Sequence, residues 1–318
     1  MADIRIESVA CIGGIVADRK ARVTEKLHPG SSNPVNMSSC PGGVVSNIAR
    51  NLGKLGCTAS LFSAVGRDAA GEQVLRDLAS PDLDLSGVSH IAGRPTASYT
   101  AVLDENGQLF IGLADMAIFD ELDVEWADRV TTAIGKHRFW ILDANLPAAT
   151  IERILNAKTS ETTVLVDPIS VAKAARVRNA MHKIDVFFPN AKEAAVLSGR
   201  SVATAEDVVE AAAQIRRSGV GTVVVTLAED GIYVDDGARG KFMPAIPAQR
   251  VLDVTGAGDA LVAGYAYAVI ANERHEPALW GLAAASLAVE TEESIAPNLN
   301  RESVLARIES STGKSART

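Results

Sequence analysis

Short apolar runs alternate with helix-like segments through residues 130–227. The apolar runs predict buried strands at residues 139–142, 163–166, 185–188 and 222–227. In the segments between them, apolar residues recur every three or four positions, which predicts helices at residues 149–157, 171–182, 191–197 and 205–217. Strands that alternate with helices in this way pair in parallel, so the pattern predicts an α/β fold with helices on both faces of one sheet.

The N-terminal part of the chain begins the same alternation. Residues 6–16 predict a first buried strand, and the apolar spacing of residues 44–55 predicts a helix. Residues 58–65 then predict a second strand and residues 70–78 a second helix. Between residues 19 and 40 the periodicity fades, and we expect turns between short extended pieces.

One segment interrupts the alternation. Residues 96–103 and 109–113 are extended runs that flank Asp104-Glu105-Asn106-Gly107, and Asn-Gly between two such runs is a strong signal for a β-hairpin. A hairpin does not fit easily inside a parallel sheet. We therefore predict that residues 96–113 and 15–40 form a small separate sheet, the lid, over the carboxyl edge of the main sheet. Such a lid excludes water from a reaction site.

The stretch Val251-Leu252-Asp253-Val254-Thr255-Gly256-Ala257-Gly258-Asp259 precedes a strongly apolar helix. Its glycines predict a tight turn into that helix, where unpaired N–H groups and the helix dipole favour an anion. Asp259 could then act as a general base in phosphoryl transfer. An ordinary glycine turn with an acidic residue in the first helical turn explains the same residues, so both interpretations stay open here. Further helices are predicted at residues 261–272, 277–291 and 301–310, followed by a frayed tail.

Polar residues follow several predicted strands. Asp18 follows the first, and the others are Asp143, Asn145, Asp167, Asn190 and Thr226. Each alone is more typical of a turn or a helix cap. However, the carboxyl ends of parallel strands meet at one edge of the sheet, where ligands bind in open α/β folds.

Composition limits the classes of function. The chain has 318 residues, 47% of them hydrophobic, which is enough for a large core in one α/β domain or two smaller ones. With 31 basic and 39 acidic residues the net charge is −8, so we expect no nucleic-acid partner. An anionic ligand would need local help from helix termini, a few cations or a metal ion.

The three cysteines, Cys11, Cys40 and Cys57, are too few and too scattered for a disulfide framework or a CxxC metal site. No uncharged apolar run reaches the roughly 18 residues of a membrane span, and residues 1–8 do not resemble a signal peptide. We therefore predict a cytoplasmic protein without a membrane partner. Neither a Walker P-loop nor a dinucleotide-binding Gly-x-Gly-x-x-Gly motif is present, which argues against a P-loop NTPase and a Rossmann dehydrogenase.

Three motifs together carry a family resemblance. Gly42-Gly43 with Asn47, Asn190 with Glu193, and the stretch from Asp253 to Asp259 resemble the ribokinase, or PfkB-type, sugar and nucleoside kinases in order and spacing. The resemblance implies one doubly wound, mostly parallel α/β domain over residues 1–318, with a β lid. It also implies transfer of the γ-phosphoryl group of ATP to a primary hydroxyl, with Mg²⁺ as the metal ion.

The resemblance implies roles for individual residues on the acceptor side. Asp259 corresponds to the catalytic base, and Gly256, Ala257 and Gly258 correspond to the anion hole. The sugar hydroxyls would be held by Asp18, Gly42, Gly43 and Asn47.

On the nucleotide side, Asn190 and Glu193 correspond to the network around the phosphates and Mg²⁺. Thr226 to Gly231 resembles the family's ATP-binding loop, although Ala228 stands where a glycine is common. Asp253 and Thr255 match a position where many relatives bind a monovalent cation, so the resemblance also suggests K⁺.

Within this family the sequence is most similar to the pseudouridine kinases. The similarity rests on Ser32-Asn33-Pro34, Thr96-Ala97-Ser98-Tyr99, Asp115-Met116 and Val166-Asp167-Pro168-Ile169-Ser170 with Lys173. It implies that Ser32, Cys40 and Lys173 line the nucleobase end of the site. Ser and Lys side chains suit uracil, whereas Cys40 is a poor hydrogen-bonding group and Lys173 could equally be a solvated helix charge.

Alternatives remain for the acceptor that is phosphorylated and for the class of protein. The acceptor could be a free sugar such as ribose or another nucleoside such as adenosine. A non-catalytic metabolite-binding protein would keep the same fold. Some relatives pair through their lids, so the resemblance also suggests a homodimer.

Overall fold

The structure is a computed structural model, and it describes residues 8–315. The first residues of the predicted strand at 6–16, the segment assessed as a signal peptide up to residue 7, and the tail at 316–318 lie outside the described residues. The strands are β1 (Val9–Ile12), β2 (Val16–Val23), β3 (Val35–Gly42), β4 (Ala59–Gly66), β5 (Leu83–Asp84), β6 (Val88–Ile91), β7 (Ser98–Leu103), β8 (Leu109–Asp115), β9 (Phe139–Asp143), β10 (Thr163–Asp167), β11 (Val186–Phe187), β12 (Thr222–Thr226), β13 (Ile232–Asp235) and β14 (Gly240–Met243).

Helices connect and cover these strands. The α-helices are α1 (Val44–Lys54), α2 (Ala69–Leu78), α3 (Val124–Ile134), α4 (Ala148–Asn156), α5 (Val171–Ala174), α6 (Ala191–Ser198), α7 (Ala205–Arg217), α8 (Ala257–Ile270), α9 (Pro277–Ala288) and α10 (Arg301–Ser315). Short 3₁₀ segments lie at Ala117–Glu121, Ala175–Lys183 and Ala228–Asp230. No described helix is both long enough and apolar enough to cross a membrane.

The main sheet has the strand order β14-β13-β12-β11-β10-β9-β1-β4-β5, with β6 also paired to β4. In this sheet β12, β11, β10, β9, β1 and β4 pair in parallel with one another in that order, and β5 and β6 both pair in parallel with β4. The strands β13 and β14 add an antiparallel edge. One buried cluster joins the sheet to α1, α2, α8, α9 and α10, and a second joins the opposite face to α3, α4, α6 and α7. The predicted doubly wound α/β fold with a mostly parallel sheet is therefore confirmed.

The smaller sheet predicted as the lid is also present. Its strand order is β3-β2-β7-β8, in which β2 and β7 pair in parallel and the outer pairs are antiparallel. The hairpin turn between β7 and β8 follows the expected chemistry, because Asp104 Oδ1 accepts the N–H groups of Asn106 and Gln108 and Gly107 has a φ of +80°. The lid thus combines two segments that lie far apart in the chain.

The beginning of the chain differs from the prediction in one respect. The expected strand at residues 6–16 ends at Ile12, and Val16 already belongs to β2 of the lid. The break lies at Gly13, where φ is +154° and an added Cβ would approach Asp143 Oδ1 to 2.3 Å. The main chain passes so close to β9 there that only glycine fits.

Three further predictions were wrong. Residues 19–40 contain long stretches of β2 and β3 rather than short extended pieces, and most of β3 is exposed, so no apolar alternation marks it. The helix expected at 171–182 is α-helical only to Ala174 and continues as a 3₁₀ segment. Ala174, Val177 and Ala180 are buried at every third position, which matches the three residues per turn of a 3₁₀ helix. At the C-terminus, α10 continues through Ser315 where fraying was expected from Ser310.

Candidate active site

The first turn of α1 and the first turn of α8 meet at the sheet edge. Asn47 Nδ2 donates a hydrogen bond of 2.8 Å to Asp259 Oδ2, and these residues are 212 positions apart in the sequence. Asn47 is buried and Asp259 is half-buried. The early glycine motif and the late glycine motif therefore belong to one site.

The environment of Asp259 prepares its carboxyl group for proton exchange near neutral pH. Burial is the main cause that raises the pKa of Asp259 to about 7. The negative charges of Asp143 and Asp18 contribute to this rise, and the hydrogen bond from Asn47 opposes it. A carboxylate with a pKa near 7 can accept a proton from a hydroxyl group and release it again at neutral pH.

The glycine turn before Asp259 leaves room and hydrogen-bond donors for an anion. Gly256 has a φ of +80°, and a Cβ there would approach Ser294 O to 2.6 Å, so the turn requires glycine. A Cβ on Gly258 would meet no atom within 4 Å. Within the described residues, the N–H groups of Gly258 and Asp259 donate to no carbonyl, which leaves them available to a phosphoryl oxygen.

The early glycine pair lies against the lid. Asp18 lies inside β2, opposite Cys40 of β3, and a Cβ on Gly42 would approach Asp18 Oδ2 to 1.9 Å. Gly43 has a φ of +95°, and its Cβ would approach Gly14 O to 2.3 Å. Burial raises the pKa of Asp18 to about 6, which Lys20 partly offsets. The two glycines thus let the lid carboxylate lie directly above the start of α1.

Asp143, at the end of β9, connects the surrounding segments. Its carboxylate accepts the N–H groups of Gly14 at 3.0 Å, Val45 at 3.2 Å and Asn145 at 2.9 Å, together with Asn145 Nδ2 at 3.0 Å. Asn145 Oδ1 in turn accepts a hydrogen bond of 2.5 Å from Lys173 Nζ. Burial raises the pKa of Asp143 and lowers that of Lys173. The sequence marked Asp143 and Asn145 only as polar residues at a strand end.

Asn190 and Glu193 form the start of α6. Asn190 Oδ1 accepts the N–H groups of Lys192 and Glu193 at 2.9 and 3.0 Å, and Glu193 Oε2 accepts the N–H of Asn190 at 2.9 Å. This reciprocal capping box fixes both side chains. Asn190 also pairs with Thr226 at the neighbouring strand end. Part of this motif therefore serves the helix itself, and its remaining polar atoms face no partner in the described part of the chain.

Asp167, at the end of β10, is a further acidic residue of the site that the sequence did not single out as functional. Burial and the charges of Asp259 and Glu193 hold the pKa of Asp167 well above its usual value. The Ile169 N–H donates to Asp167 Oδ1 at 2.7 Å. Ile169 itself has a φ of +66°, a strained conformation for a β-branched residue, so this loop is held by its surroundings.

The donor set at this edge suits Mg²⁺. Asp167 and Glu193 offer carboxylate oxygens with raised pKa values, which indicates that a nearby cation would be favourable. Within residues 8–315, no three or more His, Cys, Asp or Glu side chains are grouped so that they could hold a metal ion. That is compatible with Mg²⁺, which binds through one or two carboxylates and the phosphates of its nucleotide.

The loop after β12 contains two residues with positive φ. Ala228 has a φ of +53°, so alanine adopts here the left-handed conformation that glycine adopts without strain. Gly231 has a φ of +97°, and its Cβ would approach Met243 O to 2.2 Å. The Leu227 N–H donates to Gly231 O at 2.8 Å and closes the turn.

The remaining residues indicated by the sequence are not all brought together. Ser32 is exposed in the loop between β2 and β3, beyond the pair Val23 and Val35. The five-residue distance along β2 from Asp18 to Val23 corresponds to about 16 Å. Cys40 is half-buried, with Sγ 3.8 Å from Ser294 Oγ. The structure therefore separates Ser32 from Cys40.

Asp253 and Thr255 lie in the loop before the glycine turn. Asp253 Oδ2 forms an ion pair of 2.9 Å with Lys20 Nζ of the lid, and Asp253 Oδ1 accepts the Thr255 N–H at 2.8 Å. Lys20 had not been identified from the sequence. Its side chain joins the lid to the loop that leads into α8.

With this geometry the chain can be compared with known proteins. Residues 6–301 match the pfkB family of carbohydrate kinases. The chain therefore belongs to this family of sugar and nucleoside kinases, which are phosphotransferases with an alcohol group as acceptor. The pseudouridine kinase of Escherichia coli strain K12 is 30% identical over 302 residues, which cover 95% of this chain and 96% of that protein.

Solved structures agree with the family assignment. A carbohydrate kinase from Agrobacterium tumefaciens superposes with a TM-score of 0.83 at 30% identity, covering 95% of this chain and 97% of that one. Ribokinase of Arabidopsis thaliana, solved in complex with ribose and ATP, gives a TM-score of 0.83 at 23% identity, covering 96% and 99%. The latter similarity shows the fold alone.

Replacing Asp143 by alanine tests its role at the centre of the site. The buried N–H groups of Gly14 and Val45 would lose their acceptor, so we expect Asp143→Ala to lower the free energy of unfolding by about 2–4 kcal/mol. Asp128→Ala, which removes a half-exposed ion pair with Arg153, is the control and should change it by less than about 1 kcal/mol. Urea unfolding measures both, and equal effects would contradict the role assigned to Asp143.

Proposed function

We propose that this protein transfers the γ-phosphoryl group of ATP to the ribose 5′-hydroxyl of pseudouridine. The hydrogen bond between Asn47 and Asp259 carries the proposal, because it joins the predicted sugar-binding motif to the predicted catalytic base. The similarity to the Escherichia coli pseudouridine kinase over 95% of the chain supports the choice of nucleoside.

Asp259 takes the proton of the 5′-hydroxyl in this mechanism. The hydroxyl oxygen then forms a bond to the γ-phosphorus, while the bond between that phosphorus and the bridging oxygen breaks and ADP leaves with the electron pair. At the end of the turn Gly256-Ala257-Gly258, the N–H groups of Gly258 and Asp259 donate to the phosphoryl oxygens as their charge develops. Mg²⁺, when bound with ATP, neutralises the β- and γ-phosphate oxygens.

Asp18 and Asn47 hold the ribose hydroxyls, and Gly42 and Gly43 let the sugar approach the main chain. Lys173 and Cys40 are the residues we assign to the nucleobase end. Lys173 supplies a donor for a uracil carbonyl, and its bond to Asn145 orients it. Ser32 is given no role in the proposal, because it is exposed in the loop at the end of the lid farthest from Asp18.

The nucleotide lies on the other side of the glycine turn. Asn190 and Glu193 contact the phosphate and Mg²⁺ region, and Thr226 and Gly231 belong to the ATP-binding loop. The adjacent positions of Asn190 and Thr226 at the sheet edge support this assignment. The cytoplasmic location predicted from the isolated cysteines remains a prediction.

A panel of acceptors tests the proposed substrate. With saturating Mg-ATP, we expect pseudouridine to give a kcat/KM at least about tenfold above that of uridine, adenosine or ribose, because the base contacts discriminate between them. ADP formation is the measurement. A preference for ribose or adenosine would replace the nucleoside assignment, and the absence of ADP with every acceptor would favour a non-catalytic metabolite-binding protein.

The role of Asp259 as a base predicts a specific pH dependence. The base must be ionised to accept a proton, so kcat/KM should rise with pH through about 7, the pKa to which burial raises Asp259. Asp259→Asn should lower turnover by about 10²-fold or more and remove this rise, while nucleoside binding persists. Near-normal turnover would refute the assignment.

Asn47→Ala serves as the companion variant. Because the hydrogen bond from Asn47 lowers the pKa of Asp259, its loss should move the midpoint of the pH profile to higher pH. An unchanged midpoint would show that Asn47 does not influence the pKa of the group that controls the profile.

We further propose a homodimer that forms through the lids. The edge strand β8 exposes Ile111 and Leu113 on one face, and Leu109 and Phe110, beside the register shift opposite Val102 and Leu103, are exposed as well. This apolar surface is unusual for a free edge. Light scattering after gel filtration should give a mass twice that of one chain. For Ile111→Glu, the measured mass should fall to that of one chain. Val209→Glu, on the exposed side of α7, is the control. A monomeric unmodified protein would overturn the proposal.

A further inference from the structure

A lysine of the lid reaches the loop that leads into the glycine turn. Lys20 follows Asp18 by two positions on β2, so both side chains project from the same face of the strand. Lys20 Nζ lies 2.9 Å from Asp253 Oδ2, across 233 positions of sequence. The lid therefore places a positive charge beside Asp253, which lies three residues before Gly256.

Both carboxylate oxygens of Asp253 already have a partner. Oδ2 pairs with Lys20, and Oδ1 accepts the Thr255 N–H at 2.8 Å. A monovalent cation bound at Asp253 and Thr255 would have to displace the ammonium group or lie beside it, where like charges repel. The residues present therefore do not fit the K⁺ site that the family resemblance suggests.

We propose that the ammonium group of Lys20 replaces a monovalent cation at Asp253 and makes the kinase independent of K⁺. An unneutralised carboxylate next to the turn would repel the phosphoryl group that the turn binds. Lys20 neutralises it from the lid, so the charge is in place when the lid covers the site. The catalytic consequence rests on the proposed kinase function, whereas the exclusion of the cation from Asp253 does not.

Exchange of the monovalent salt tests the catalytic consequence. The unmodified protein should have the same kcat, within twofold, in potassium, sodium and choline chloride at equal ionic strength. The kcat of Lys20→Met should be lower by about tenfold or more in choline chloride. It should recover in potassium chloride, because K⁺ can then occupy the position of the ammonium group. Lys20→Arg should behave like the unmodified protein.

Arg22→Met is the matched control, since Arg22 lies two positions further on β2, projects from the same face and is exposed. It should show neither the loss nor the cation response. Activation of the unmodified protein by K⁺ would overturn the proposal, as would a Lys20→Met variant that keeps full activity in choline chloride.

Thermal unfolding provides a measurement that needs no turnover. A ligand that binds only the folded state raises the Tm, so potassium chloride should raise the Tm of Lys20→Met above its value in choline chloride by about 2 °C. The unmodified protein and Arg22→Met should show no difference. A Lys20→Met variant without this rise would refute the replacement even if no acceptor were phosphorylated, so the result is independent of the proposed function.

Discussion

The buried carboxylate of Asp143 is the interaction on which the geometry of the site depends. It binds the turn after β1 through Gly14, the start of α1 through Val45, and the loop after β9 through Asn145. Because α1 is fixed in this way, Asn47 is held in position against Asp259. A single strand-end residue thus aligns a lid, a helix and a loop that are far apart in sequence.

The same edge concentrates negative charge, which burial makes costly. Asp18, Asp167, Glu193 and Asp259 all have raised pKa values for this reason. Backbone N–H donors, Lys20 and Lys173 offset only part of it. The burial of these charges is therefore electrostatically unfavourable. A bound cation would relieve it, so cation binding and the ionisation of the acidic groups would be linked.

Elements with strong local signals were predictable from the sequence, and those set by tertiary contacts were not. The alternation of residues 130–227 and the Asn106-Gly107 turn fixed the sheet and hairpin, because their apolar spacing and turn chemistry are local. The exposed strand β3 carries no such spacing, and the 3₁₀ segment after Ala174 differs from a helix only in its period of burial. The Gly-rich motifs predicted which segments meet. Asp143 and Lys20 could not be recognised, because their partners lie far away in sequence.

The lid is joined to the rest of the chain by four connections, which lie before β2, between β3 and α1, before β7 and after β8. The first connection is the turn at Gly13 and Gly14, and Gly14 donates directly to Asp143. Asp143 also accepts the N–H of Val45 at the start of α1, so the base of the lid and α1 share one acceptor. A displacement of the turn before β2 that weakened the bond from Gly14 would therefore also disturb the carboxylate that fixes the start of α1.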